Sequence, residues 1–167
     1  MSTWSKVWLF LHVLSAIVAF GPTFVFGPLA GMIRANPQHA VFGAKVSNMI
    51  ETKIVMPAAA LVPLFGAALI FSRRLEFWKS TWLLIAAGVY TINYAFAFFV
   101  QRPTGHKIVE KVEALAAGTG GPETIQELEG LGKKAMRGGI FLLVLFLVVL
   151  SMMIFKPGNC FVGQATC

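Results

Sequence analysis

Among the side chains able to do chemistry, one imidazole stands apart. His12 is the sole ionisable residue of Val7 to Gly31, VWLFLHVLSAIVAFGPTFVFGPLAG, a run without Asp, Glu, Lys or Arg. An ionisable group inside an apolar run of that length is a functional hypothesis by default. A neutral imidazole ligates haem iron, so His12 is read as a candidate ligand for a b-type haem, with haem iron the only metal it would meet. His39 and His106 lie in polar connections. A sixth ligand would therefore be Met152 or Met153, or belong to a second subunit, or the position would stay open. The competing reading makes His12 an interfacial histidine, bonded to a neighbour such as Ser151.

A second set is polar without being ionised. Tyr90, Thr91, Asn93 and Tyr94 interrupt the run TWLLIAAGVYTINYAFAFFV, and Tyr90 and Tyr94 share a helix face. An amide or phenol in lipid needs a partner, so Tyr90, Asn93 and Tyr94 should point into a bundle, either as glue between helices or as the lining of a site. Cys160 and Cys167 sit together in the tail KPGNCFVGQATC. They would form a disulfide if that tail faces an oxidising compartment, and stay free thiols otherwise. The longest connection, 101–137, shows no Gly-rich phosphate loop, metal-spaced histidine pair or Ser-His-Asp set.

The elements that must hold these residues are membrane helices. Hydrophobic residues make up 57% of the 167 and charged residues 13%, about half the charged share of a typical soluble chain. Four apolar segments approach the roughly 20 residues needed to cross a hydrocarbon core: 7–31, 54–72, 81–100 and 138–155. The expected fold is all-α, one membrane domain over 1–167, a four-helix bundle with short interfacial helices in the first and third connections. Gly21-Pro22 should kink or end the first helix, and Gly27-x-x-x-Gly31 offers a place for another backbone to approach. Asn36-Pro37 marks a turn, and the short connection after Arg73-Arg74 makes spans two and three an antiparallel hairpin. In 101–137, Ile108, Val112 and Leu115 form one stripe and Ile125, Leu128 and Leu131 another, on either side of Gly120-Gly121-Pro122. That pattern predicts a helical hairpin.

The net charge of +7 does not point to nucleic acid, because Lys and Arg collect at the ends of the spans, where they meet lipid headgroups. The first run also extends beyond a signal-peptide core and lacks a clear small-x-small cleavage site. The first and third connections hold nine Lys and Arg against five on the other face. That excess places those connections, including the hairpin 101–137, in the cytoplasm and both termini on the outer, periplasmic side of an inner membrane.

The order Leu11-His12, an apolar stretch, Gly21, then Pro28, in a four-span chain of this size, resembles an uncharacterised family of predicted bacterial integral membrane proteins. That family is in turn similar to the group containing copper-resistance protein D and the HemJ-type protoporphyrinogen oxidases. The specific match covers about 25 residues, the remainder being agreement in the number and order of spans. The resemblance implies that His12 takes part in haem binding and that a lysine near the start of the third span matters, for which Lys79 is the rough counterpart. Phe26-Gly27-Pro28-Leu29-Ala30 stands in place of the oxidase group's Leu-Pro-Arg pattern.

Two functions follow as expectations. The first is a redox-associated membrane protein with haem b on His12. The second is a non-enzymatic accessory or assembly subunit whose apolar faces pack in a homo-oligomer or a larger membrane complex. A small transporter is disfavoured, since no acidic residue lies in any span to couple protons or cations.

Overall fold

The computed structural model describes residues 3–157. Within them the chain forms seven α-helices: α1 (Thr3–Phe20), α2 (Thr23–Ala35), α3 (Ala40–Ile50), α4 (Met56–Arg73), α5 (Thr81–Phe96), α6 (Arg102–Ala116) and α7 (Pro122–Phe155). They join into four rods, Thr3–Ala35, Pro37–Arg73, Thr81–Ala116 and Pro122–Phe155, each long and apolar enough to cross a membrane. At about 1.5 Å per residue, rods of 33 to 37 residues run about 50 Å, against about 30 Å of hydrocarbon. The excess is at one end. The charge-free halves lie together on the side of Thr3 and Phe155, while α3, α6 and the first half of α7 continue past them.

Both connections carry the expected helices, but these are continuous with the spans. α3 runs into α4 through a π turn at Glu51–Val55, where the Met56 N–H reaches back to Glu51 O. α5 runs into α6 through another at Ala97–Gln101, where the Arg102 N–H reaches back to Ala97 O. Each π turn ends two residues before a proline, Pro57 or Pro103. A proline ring clashes with the carbonyl four residues back and leaves it without a donor, and widening the preceding turn relieves that clash. In the first rod the interruption is Gly21-Pro22, as expected. The Gly21 N–H still bonds Ile17 O at 2.8 Å, and the chain resumes with Val25 N–H on Pro22 O at 2.9 Å.

α1 packs mainly on α4, and α5 on α7. The shared core is made of small residues, Ala19, Ala58, Ala59 and Val62, with Ala16, Phe20, Tyr90 and Tyr94 against them. Such a core suits a bundle in which lipid leaves close packing as the main source of cohesion. Phe20 ties the two pairs together, stacked on Phe146 at 4.1 Å and edge-on to Tyr90 at 6.3 Å. Beyond the spans, Lys45 pairs with Glu113 at 2.6 Å and Lys111 pairs with Glu127, so α3, α6 and α7 are laced by charge. Gly27-x-x-x-Gly31 does not seat a neighbouring helix, since nothing lies within 4 Å of a Cβ at either glycine. Close approach occurs at Gly43, where a Cβ would stand 2.5 Å from the Ile33 side chain.

Candidate functional site

His12 sits on the α1 face turned to α4, half-buried. Its Nδ1 lies 2.9 Å from Val62 O, and Gly66, one helical turn on, presents no side chain to the ring. A Cβ there would be 3.2 Å from His12 Cε1 and 3.3 Å from Nδ1. A carbonyl can only accept, so Nδ1 carries a proton, and in a neutral ring Nε2 keeps its lone pair. Among the described residues Nε2 has no hydrogen-bond partner. A ring N–H held by a backbone carbonyl is the arrangement that fixes the tautomer of metal-bound histidines and raises the basicity of the other nitrogen. The neighbour of His12 is therefore the Val62 carbonyl. Ser151 turns to its own helix, its Oγ donating to Leu147 O at 2.8 Å.

Gly66 is in contact with the ring, whereas Gly88 has nothing within 4 Å of a Cβ and Ala86 is fully buried. Met152 and Met153 lie six and seven residues beyond Phe146, and His12 lies eight residues before Phe20. From the stacked Phe20–Phe146 pair these distances are about 9, 10 and 12 Å along the rods, a matched depth. Met152 lines an open groove on α7 with Val144, Leu147, Val148 and Ser151, and His12 is not part of that lining. Met153 is half-buried on α7. Lys79 is exposed at the start of the third rod and pairs with Glu76 at 2.8 Å. Cys160 and Cys167 lie outside the described residues.

The polar residues of α5 gather at the centre of the bundle. Tyr90, Asn93 and Tyr94 line a cavity of about 50 Å³ together with Phe20 and Thr23 of the first rod, Val55 and Met56 of the second, and Leu142 and Phe146 of the fourth. The Tyr90 hydroxyl donates to Ala59 O at 2.5 Å, and Asn93 Nδ2 donates to Leu142 O at 3.1 Å. Pro63, four residues after Ala59, has no N–H to give that carbonyl, so the phenol supplies the missing donor. The cavity has room for water-sized guests and none for a macrocycle.

Residue types gave no warning of Thr23 in this lining, of the carbonyls of Ala59 and Val62, or of the group Asn48, Glu51 and Thr52 just outside the span. The available signals were positional: a proline four residues after Ala59, and the spacing 48, 51, 52, which puts three polar side chains on one helix face. Glu51 is held above the usual glutamate range, chiefly because burial disfavours its charge, with Arg102 pulling the other way.

Compared with known proteins, residues 6–157 match the model of a family described as Predicted integral membrane protein (DUF2269), and the chain belongs to that family. No curated protein and no solved structure matches it.

Proposed function

From that membership and the geometry around His12, we propose that the protein is a redox-associated haem protein of a bacterial inner membrane, related to the copper-resistance protein D and HemJ-type oxidase group. In this reading His12 is the residue that would hold a b-type haem. The observation that carries it is the 2.9 Å contact between His12 Nδ1 and Val62 O, with Gly66 flush against the ring: the imidazole is oriented from behind and offers Nε2. The donor fits; the enclosed space does not, since the central cavity is about 50 Å³. Val62 and Gly66 would orient His12 toward the group. A haem held there would supply one-electron chemistry. Tyr90, Asn93 and Tyr94 then have a packing role, joining α5 to α4 and α7. The excess of Lys and Arg in the first and third connections supports termini on the periplasmic side.

A second reading is favoured by the spanning half of α7, which leaves Ile140, Val144, Leu147 and Ile154 exposed. In that reading the protein is an accessory or assembly subunit, and this face packs on another membrane protein or a second copy.

Purification in mild detergent and a visible spectrum separate the two. A Soret band lost in His12→Ala supports the haem, while a colourless protein recovered with stoichiometric partners supports the subunit.

A further inference from the structure

Just before the second span, Asn48, Glu51 and Thr52 share one face of the rod, three and four residues apart. That face meets α6 at a glycine: Glu51 Oε2 and Asn48 Oδ1 stand 3.2 and 3.5 Å from where a Gly105 Cβ would be. Asn48 Oδ1 and Thr52 Oγ1 are both buried, and neither has a hydrogen-bond partner among the described residues. The Thr52 hydroxyl can donate as well as accept, whereas Asn48 Oδ1 can only accept, and an ionised Glu51 has no proton to offer it. The neutral acid brings an O–H that Asn48 Oδ1 can accept.

We propose that Glu51 is a proton-binding site, its carboxyl taking up a proton from the aqueous side and donating the resulting O–H to Asn48 Oδ1. The charged and titratable groups around it are few. From α6 come Arg102 and His106, from its own rod Lys53, and one to two turns away the Lys45–Glu113 pair. α1 also packs against the π turn and brings no charged or titratable residue after His12. Arg102 favours the carboxylate and burial favours the acid, and burial is the larger effect. Asn48 Nδ2 lies 3.4 Å from His106 Nδ1, so an amide whose oxygen accepts from Glu51 has its N–H turned toward the imidazole. Proton uptake on the second rod thereby fixes a contact with the third, at the level where both carry π turns. Because none of these residues touches His12, the site stands or falls independently of haem binding.

The test is infrared difference spectroscopy of the full chain in lipid vesicles, titrated with pH. The expected result is a protonated-carboxyl band that disappears with a midpoint above the usual glutamate range and is missing from Glu51→Gln. In Asn48→Leu, which keeps the burial and removes the acceptor, the band moves to higher frequency. A band unchanged in Glu51→Gln, a midpoint within the ordinary range, or an Asn48→Leu band at the wild-type frequency would overturn the proposal. Asn48→Leu carries the test alone if Glu51→Gln fails to accumulate.

Discussion

Pro63 and Tyr90 complement each other across two helices. The proline withholds the N–H that Ala59 O would take in a regular helix, and the Tyr90 hydroxyl donates to that carbonyl at 2.5 Å. A proline inside a span and a phenol in the membrane are thus two halves of one interaction, next to the cavity around which the rods converge.

Tyr90→Phe leaves Ala59 O without a donor, and an interhelical hydrogen bond in a membrane protein is worth about 0.6–2 kcal/mol. Unfolding in detergent should show a loss of that size. In a Pro63→Ala background the missing backbone N–H returns and Ala59 O regains a donor from its own helix, so the loss on Tyr90→Phe should shrink by more than half. Equal losses in the two backgrounds would show that the phenol and the proline are uncoupled.

Glycines divide into those with a neighbour and those without. A Cβ at Gly43 meets the Ile33 side chain at 2.5 Å, so Gly43→Ala overpacks the α2–α3 contact and should cost about 1–3 kcal/mol, with recovery when Ile33 is shortened to Ala. Gly27→Ala meets nothing within 4 Å and should be neutral or gain up to about 1 kcal/mol from helix propensity. Thermal unfolding of the variants in one detergent decides the matter. A costly Gly27→Ala would restore the glycine motif as a packing seat.

Much of this architecture was legible in the chain. The number of spans, the break at Gly21-Pro22, the antiparallel second and third spans, and Val112 on the inward stripe of α6, where it is buried, all follow from apolar period and proline placement. The joining of α3 to α4 and of α5 to α6 was not, because charge marks the edge of the hydrocarbon and not the end of a helix. Lys53 and Arg102 end the apolar runs while the backbone continues through a π turn. For the site, His12 was marked by its charge type alone. Its partner is a main-chain oxygen, which no side-chain pattern announces, and nothing in the sequence singles out Gly66 before the helices are paired.

The pH dependence of stability has a definite sign at Glu51. Its pKa in the folded protein is raised, chiefly by burial, so the folded state binds the proton more tightly than the unfolded chain. The contribution is fully present below the ordinary glutamate value and is lost as pH rises through the raised one. Wild-type protein should therefore lose stability across that window, and Glu51→Gln, which cannot ionise, should lose less. Parallel pH profiles of the melting temperature for the two proteins would contradict the assignment.

His12 and Gly66 are coupled by contact, and Gly66→Leu drives a side chain into the space of the imidazole. The variant should lose the Nδ1 contact with Val62 O and destabilise the α1–α4 pair by about 1–3 kcal/mol. Nitrogen-15 spectra of labelled histidine should then show His12 no longer fixed as the tautomer protonated on Nδ1. An unchanged tautomer signal in Gly66→Leu would mean that α4 does not set the orientation of the ring.

The most direct measurement is the visible spectrum of the protein purified in mild detergent with haem supplied during expression. A Soret band present at near-stoichiometric haem in the wild type, absent in His12→Ala and weakened in Gly66→Leu is the expected result. A colourless wild-type protein, or a band of equal strength in His12→Ala, would contradict His12 as a haem ligand.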